Sequence, residues 1–399
     1  MIAALVYDSA LEEYTFPEGH PMKPVRFRLA VGLMRAWDLL AQDGDAGLAP
    51  GGVPRAAIIK PTPASDDSIL TVHTIDYLDA VKASGLDPDS ADARYGIGER
   101  TDTPAFAGMH DVAALVVGSS IAALDAVLSG AVTRAFVPAG GMHHAHADRA
   151  AGFCIYNDPA IAIQHATRAY PGVRVAYVDI DAHHGDGVEE AFCVRDDVLT
   201  LSVHESGVYL YPGTGNVDDI GTGAGEGFAL NVPLPIRAGA QDYELVLERI
   251  VAPALRAYQP DLIVLQGGAD AHRDDPLAEL ENTVEGYTNT VAGIVRLADE
   301  LCDGKLVMTG GGGYEPYSAV PRQWACAMAE LMGADTPPFL PTAWVQASHA
   351  AAAGTPAPRV GVLTFMEATP DPVDEEAEEA LKGTEAVIAG LLRTHPLLR

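Results

Sequence analysis

An apolar run ends in a cluster of ionisable side chains at Tyr177-Val178-Asp179-Ile180-Asp181-Ala182-His183-His184-Gly185-Asp186-Gly187. Five ionisable groups lie within eight residues, from Asp179 to Asp186. Asp179, Asp181 and His183 occupy alternate positions, so they project to one side while the chain stays extended. Burying such groups is costly unless a cation or a function offsets their desolvation. The cluster therefore predicts an open metal site that activates water, in preference to a metal-free hydrogen-bond network.

Other apolar runs of strand length recur along the chain and alternate with helical patterns. The predicted strands are Ala3 to Tyr7, Ala56 to Ile59, Ala135 to Val137, Val173 to Ile180, Val198 to Val203, Ala229 to Val232, Leu262 to Leu265 and Leu306 to Met308. The clearest predicted helices are Pro24 to Leu40, Asp111 to Leu128, Tyr243 to Tyr258, Val284 to Leu301 and Tyr317 to Met332. Strands that are apolar throughout and alternate with helices indicate parallel pairing. The predicted fold class is α/β, a single large domain with a mainly parallel sheet and helices on both faces.

Three more predicted strands lead into residues of related chemistry. The strand Leu262 to Leu265 leads to Asp270, and the strand Leu306 to Met308 leads through Gly310-Gly311-Gly312-Gly313 to Tyr314. The strand Ala135 to Val137 leads to Gly140-Gly141-Met142-His143-His144-Ala145-His146. Ligands of open parallel sheets bind outside the carboxyl ends of the strands, so these residues are expected to converge. The expected arrangement has Asp270 as a third metal ligand, His143 and His144 paired with Asp179 and Asp186, and the phenol of Tyr314 at the same edge.

Charge and composition restrict the partners and the compartment. The chain of 399 residues has 25 Lys and Arg against 55 Asp and Glu, which gives a formal net charge of −30. This charge repels nucleic acid and favours a cationic peptide or amine. The four cysteines show no C-x-x-C spacing, the first residues lack the features of a signal peptide, and polar residues interrupt the apolar stretch Val112 to Val132. We predict a cytoplasmic protein with reduced thiols and neither nucleic-acid nor membrane partners.

The composition changes after about Gly333. Residues 1–333 form the predicted catalytic domain, and residues 334–399 form an extension that is rich in Ala and Pro from Asp335 to Pro372. The acidic stretch from Asp374 to Glu379 begins a predicted terminal helix that ends near Leu392, with carboxylates suited to its first turn. We expect the extension to pack on the same domain as a peripheral strap; a partner-docking element is the alternative.

The ordered motifs resemble those of the histone deacetylase superfamily, and within it the bacterial acetoin-utilisation proteins of the AcuC type. The resemblance covers about Val6 to Met332. It rests on Gly19-His20-Pro21-Met22-Lys23-Pro24-x-Arg26, Asp102-x-Pro104, Gly140-Gly141-x-His143-His144, Gly152-Phe153-Cys154-x-x-Asn157-Asp158, the segment Asp179 to Gly187, Tyr211-Pro212-Gly213-Thr214-Gly215, Gly268-Ala269-Asp270 and Gly310 to Tyr314. The family likeness implies the arginase/deacetylase fold and metal-dependent hydrolysis of the amide of acetyl-lysine, in a protein, a peptide or a small acetylated amine.

The resemblance also implies roles for individual residues. The implied zinc ligands, for which iron(II) is an alternative ion, are Asp181, His183 and Asp270. The implied general base and acid are His143 and His144, backed by Asp179 and Asp186, with Tyr314 donating to the oxyanion. The implied substrate residues are Gly152, Phe153 and Tyr211 along an acyl-lysine tunnel, and Asp102 at its rim. There the carboxylate of Asp102 would accept hydrogen bonds from backbone N–H groups of the substrate. The implied potassium site comprises Asp179, Asp181, His183, Ser202 and the carbonyl of Val203. Tyr211 is commonly Phe in eukaryotic members, so its hydroxyl either contacts substrate or faces solvent.

Several alternatives to a lysine deacetylase stay open. The same chemistry would serve an acetylpolyamine amidohydrolase, although a rim carboxylate at Asp102 favours a peptide backbone. An arginase-like site with two manganese ions would need carboxylates where the chain has Gly185 and His272, so one transition-metal ion per chain is expected. A non-catalytic acyl-lysine binder would be expected to lack a ligand or the tyrosine. The AcuC likeness also associates the chain with control of an acetyl-CoA-forming enzyme in acetoin or acetate metabolism.

Overall fold

The computed structural model describes residues 2–41, 47–353 and 374–399. Within these ranges the strands are β1 Ala3–Val6, β2 Ala57–Ile59, β3 Arg134–Val137, β4 Val175–Asp179, β5 Val198–Glu205, β6 Ala229–Leu234, β7 Leu262–Gln266 and β8 Leu306–Thr309. They form one sheet of order β2-β1-β3-β8-β7-β4-β5-β6, in which every pairing is parallel. The predicted α/β fold class is confirmed, and the sheet is parallel throughout.

Helices cover both faces of the sheet. The α-helices of the described ranges are α1 Val25–Ala36, α2 Asp66–Ile69, α3 Ile75–Leu86, α4 Met109–Leu128, α5 Asp158–Ala169, α6 Asp186–Phe192, α7 Ala240–Val246, α8 Ala252–Tyr258, α9 Val284–Leu301, α10 Ala319–Met332, α11 Thr342–Ala351 and α12 Glu375–Thr394. All five of the clearest predicted helices are present. Two of them differ from the prediction by more than two residues at one end, and one of these two is also irregular.

These two differences have local causes. Helix α1 ends at Ala36, before the predicted end at Leu40, because Asp38 adopts a φ of 59°, which lies outside the helical region. The predicted helix Tyr243 to Tyr258 starts at Ala240 and is interrupted between α7 and α8 by the π-helical segment Leu247–Val251. That segment is followed closely by Pro253, which has no N–H to donate to the helical ladder.

Side chains of the strands alternate between two apolar cores. On β3, for example, Phe136 joins the core that contains residues of α1, α9 and α10, whereas Ala135 and Val137 join the core that contains residues of α4, α5 and α6. This alternation follows from the two-residue period of a strand. With both faces buried, the carboxyl edge of the sheet is left for the polar residues that follow the strands.

Helix α4 is apolar and packs inside the protein. It is long and apolar enough to cross a membrane, with a mean hydropathy of 1.8, but 61% of this apolar window is buried inside the protein. It packs against α5 and β3. The expectation that the apolar stretch from Val112 is a buried helix agrees with this packing.

The described parts of the C-terminal extension contact the rest of the protein. Helix α11 lies against α1, where the indole N–H of Trp344 donates to the carbonyl of Leu29 at 2.8 Å. Helix α12 packs on β6 and α7, and the hydroxyl of Thr384 donates to Asp242 at 2.6 Å. Half of the Ala- and Pro-rich segment, residues 354–372, lies outside the described residues. The division at about Gly333 stays a prediction.

Candidate active site

Four neighbouring strands bring the predicted site residues together. Strands β3, β8, β7 and β4 are adjacent in the sheet. The segments after their carboxyl ends carry, in that order, the His143-His144 pair, Tyr314, Asp270, and the segment with Asp181 and His183. Residues that are more than a hundred positions apart in the sequence thus contact each other at one edge of the sheet.

Asp181, His183 and Asp270 form a compact group of potential metal ligands. One ligand atom from each lies within 4.8 Å of the others, and all three residues are buried. The Nδ1 atom of His183 lies 3.1 Å from Oδ1 of Asp181 and 3.0 Å from Oδ2 of Asp270. An imidazole nitrogen flanked by two carboxylates matches the three protein ligands of an open catalytic site.

The two carboxylates are oriented by backbone and amide donors. Asp181 accepts hydrogen bonds from the backbone N–H of Gly312 at 2.7 Å and from the side chain of Gln266 at 2.8 Å. Asp270 accepts from the backbone N–H of Ala182 at 2.8 Å. A Cβ atom at Gly312 would lie 1.9 Å from Oδ2 of Asp270, so only glycine permits this close approach. These contacts keep the ligand atoms aimed at one point.

The electrostatics of this group indicate a place for a cation. Burial and the charge of Asp181 raise the pKa of Asp270 to about 6. Burial alone would lower the pKa of His183, but hydrogen bonds to Asp181 and Asp270 outweigh it and raise that pKa well above its usual value. Two buried carboxylates thus compete for positive charge, which a divalent ion would supply more fully than one proton. The donor set therefore fits a metal ion, and carboxylate with imidazole suits zinc or iron(II).

Each of the two adjacent histidines has a carboxylate partner. The Nδ1 atom of His143 lies 2.8 Å from Asp179, which also accepts from the hydroxyl of Tyr177 at 2.7 Å. The Nδ1 atom of His144 lies 2.7 Å from Asp186. A carboxylate at Nδ1 favours the tautomer with its proton there, so Nε2 is left to exchange protons with a ligand.

The two histidines differ in their affinity for a proton. Burial would lower the pKa of His143, but the negative charges of Asp179 and Asp181 raise it to about 9. Burial and the positive charge of His143 lower the pKa of His144 to about 4. Groups of opposite tendency side by side suit a general base and a general acid.

Aromatic side chains surround the approach to the ligand group. The ring of Tyr314 lies 5.7 Å from that of Phe153 and 6.3 Å from that of His183. The ring of Tyr211 lies 5.0 Å from that of His144, and Tyr211 is 43% exposed. A Cβ at Gly152 would lie 2.2 Å from the ring of His144, so glycine leaves room for that ring. The predicted tunnel residues therefore lie together, with Tyr211 at the solvent side.

Asp102 and the predicted potassium residues also have defined positions. A carboxylate oxygen of Asp102 accepts from the backbone N–H of Gly152 at 3.0 Å, which places Asp102 beside one of the predicted tunnel residues. The pairing of β4 with β5 sets Asp179 opposite Ser202, and the hydroxyl of Ser202 lies 2.8 Å from Nδ1 of His204. Of the residues predicted for potassium, Asp179 ends β4, Ser202 and Val203 lie on the neighbouring strand β5, and Asp181 and His183 belong to the ligand group itself.

Some supporting residues were not predicted from the sequence. Asp275 is buried and accepts from the backbone N–H of Tyr314 at 2.7 Å. The guanidinium of Arg26 is buried and donates to the carbonyl of Gly313 at 2.9 Å. Asn157 donates to the carbonyls of His143 and Ala145 at 3.2 and 2.9 Å. Arg26 and Asn157 stand within quoted motifs, and Gln266 is a polar residue that ends an apolar strand; these were the available signals.

Comparison with known proteins gives consistent matches. The family model described as the histone deacetylase domain matches residues 20–331. The acetoin utilization protein AcuC of Bacillus subtilis (strain 168) is 40% identical over 346 residues, which are 86% of this chain and 85% of that protein. The AcuC protein of Staphylococcus xylosus is 34% identical over 343 residues, 85% of each chain.

Solved structures match the fold along almost the whole chain. A crystal structure of an HDAC homolog from Aquifex aeolicus superposes with a TM-score of 0.81 at 30% sequence identity, covering 96% of this chain and all of that one. A crystal structure of an HDAC homolog complexed with SAHA gives a TM-score of 0.82 at 29% identity with the same coverage.

Proposed function

Because the chain belongs to the histone deacetylase family, and is therefore a deacetylase, we propose that it hydrolyses Nε-acetyl-lysine with a bound divalent metal ion. One observation carries the proposal. The ligand group of Asp181, His183 and Asp270 lies beside two His–Asp pairs and beneath a passage lined by aromatic rings. An aliphatic lysine stem fits such a passage, and its amide would end at the polar group.

The side chains divide the chemistry of amide hydrolysis between them. The reaction breaks the acetyl C–N bond, adds the hydroxyl of water to the acetyl carbon and transfers the other proton of water to the lysine nitrogen. In our proposal His143 and His144 exchange these protons through Nε2, while Asp179 and Asp186 orient the rings through Nδ1. A divalent ion held by Asp181, His183 and Asp270 would polarise the carbonyl and lower the pKa of water. Tyr314 would donate its hydroxyl to the carbonyl oxygen as negative charge develops there.

We propose one transition-metal ion per chain, either zinc or iron(II). We also propose a potassium ion at Asp179, Asp181, His183, Ser202 and the carbonyl of Val203. Gly185 supports the single ion, because a Cβ there would lie 2.5 Å from a carboxylate oxygen of Asp179 and leave no room for a bridging side chain. Asp275 accepts from the N–H groups of Tyr314 and Leu277, so its oxygens are engaged away from a second ion. The arginase-like alternative is thereby disfavoured.

The proposed substrate is an acetylated protein or peptide, and a small acetylated amine is the second candidate. The relatives are named acetoin utilization proteins, and the family resemblance makes an acetyl-CoA-forming enzyme our candidate protein substrate. We propose a cytoplasmic location, with which four free cysteines are consistent. Neither nucleic acid nor membrane has a place in this proposal.

Asp102 provides the test of substrate class. We expect an acetyl-lysine peptide to be turned over with higher kcat/KM than acetylated putrescine or spermidine. The Asp102→Ala variant should lower kcat/KM for the peptide by about tenfold, because one or two hydrogen bonds to a charged carboxylate are lost. The kcat/KM for the small acetylated amines should not change. An enzyme that prefers acetylated amines, and is insensitive to Asp102→Ala, would favour the amidohydrolase.

Tyr314 is expected to contribute to kcat more than to substrate binding. The Tyr314→Phe variant keeps the ring contacts with Phe153 and His183 but removes the hydroxyl. Loss of one preorganised donor to an oxyanion should lower kcat by about 10² to 10³. KM should change less, because the contact strengthens in the transition state. A Tyr314→Phe enzyme with normal metal content and near-native kcat would refute this role.

A further inference from the structure

A third histidine, His146, lies on the far side of the carboxylate that orients His144. Asp186 directs Oδ1 to Nδ1 of His144, at 2.7 Å, and Oδ2 to Nε2 of His146, at 3.5 Å. The other ring nitrogen of His146 forms a hydrogen bond with Glu190. The four side chains thus form a continuous chain from the active site to Glu190, whose side chain is 57% exposed.

The position of His146 is set by its backbone and does not depend on Asp186. Its N–H donates to the carbonyl of Arg149 at 3.0 Å, and its carbonyl accepts from the ring of His73 at 2.9 Å. The other ring nitrogen of His73 accepts from the backbone N–H of Asn157 at 3.0 Å. The loop that carries His146 is therefore anchored to buried residues, and the imidazole is presented to α6 at a fixed point.

Helix α6 supplies the reason for a cation at that point. Asp186 and Glu190 are four residues apart on α6, so both carboxylates lie on one face of the helix, where like charges repel each other. His146 lies across both of them with a side chain that is only 11% exposed. The hydrogen bond with Asp186, followed by that with Glu190, raises the pKa of His146 against burial and the nearby Arg149. His73, whose ring bonds the carbonyl of His146, has its pKa lowered to about 4 by burial and is neutral at pH 7.

We propose that His146, backed by Glu190, is a positioning residue that fixes the rotamer of Asp186 and so the orientation of the His144 ring. This inference rests on the proposed deacetylase function. Without the contact at Oδ2, the carboxylate of Asp186 would be held through Oδ1, by His144 and the backbone N–H of Gly187, and the His144 ring would have a less fixed partner at Nδ1. The partners of His146 are Asp186, Glu190, Arg149 and His73, and none of them is a proposed metal ligand or tunnel residue.

Kinetics of single and double variants test the proposal. The His146→Gln variant should lower kcat by about tenfold, as loss of an outer partner typically does, with KM and metal content unchanged. The His146→Lys variant keeps a cation between the two carboxylates and should recover kcat to within about threefold of wild type. In an Asp186→Asn background His146→Gln should have almost no further effect, because both changes act through one carboxylate.

Two further variants separate positioning from folding. The His165→Gln variant removes a histidine from a similar ion pair with Asp125, at 2.9 Å on the surface of α5, and should leave kcat unchanged. If His146→Gln fails to fold, the Glu190→Gln variant tests the positioning role instead. It leaves His146 in place and should still lower kcat by a few-fold.

The proposal is overturned if His146→Gln retains wild-type kcat, or if its effect is the same in the Asp186→Asn background. It is also overturned if His146→Lys is no better than His146→Gln. Failure of the proposed function would look different, since the wild-type protein itself would then not hydrolyse an acetyl-lysine peptide.

Discussion

Replacement of Asp181 by alanine is expected to abolish both stoichiometric metal binding and activity. Asp181 contributes one of three ligand atoms, and its carboxylate also receives the N–H groups of Gly312 and Gln266. The variant would leave an underfilled site of two ligands. It would also release the glycine turn that leads to Tyr314. Activity should therefore fall below detection, a larger loss than that expected from any other single change considered for this site.

Metal analysis after dialysis measures the expected loss directly. The wild-type protein should retain about one zinc or iron ion per chain, as a site with three protein ligands predicts, and Asp181→Ala should retain almost none. Asp242→Ala is a matched control, because Asp242 is also a buried carboxylate, bonded to Thr384 and to the backbone of Gly239. That variant should keep its metal. Full occupancy in a folded Asp181→Ala protein would remove Asp181 from the ligand set, and two ions per wild-type chain would restore the arginase-like alternative.

The convergence of the strand ends could be predicted because it depends on local patterns. Each of the eight apolar runs became a strand, and parallel pairing places all of their carboxyl ends at one edge. Polar residues directly after such runs, as at Asp181 and Asp270, must therefore meet or lie near one another. The order β3-β8-β7-β4 was not predictable in this way, because it is decided by how helices pack across the sheet.

The supporting contacts could not be predicted for a different reason. Asp275 acts on the backbone N–H of Tyr314, 39 residues away, and any residue except proline would offer the same donor at position 314. No residue pattern records such a contact. His146 was visible in the sequence as the third histidine of its loop, but its relation to Asp186 requires the start of α6 at Asp186. That helix is short, and its first turn falls within a segment whose pattern indicates a strand end.

The second large effect is expected at His144. The His144→Gln variant should bind metal as the wild type does, because His144 is not a member of the ligand group, and its kcat should fall by about 10² to 10⁴. Glutamine can donate a hydrogen bond to Asp186 as the imidazole does. It is also similar in size to histidine, so the packing against Gly152 and Tyr211 is largely kept. It cannot accept and return a proton, which isolates the acid–base contribution.

Comparison with His143→Gln shows which histidine carries which step. His143 lies deeper, with Nε2 3.9 Å from a carboxylate oxygen of Asp181, whereas the ring of His144 faces that of Tyr211 toward the solvent side. Position therefore puts His144 near the leaving nitrogen of a lysine that enters past Tyr211, and His143 near the attacking water. These roles require the divalent ion, whose charge would displace the proton that the raised pKa of His143 otherwise holds, and would so remove the positive charge that lowers the pKa of His144. A less basic leaving amine needs less protonation as it departs. An activated acetanilide, which releases an aniline in place of the lysine amine, should therefore restore much of the rate to His144→Gln and little to His143→Gln. If His144→Gln kept kcat within about threefold of wild type on the peptide, proton transfer to the leaving nitrogen would fall to His143 alone.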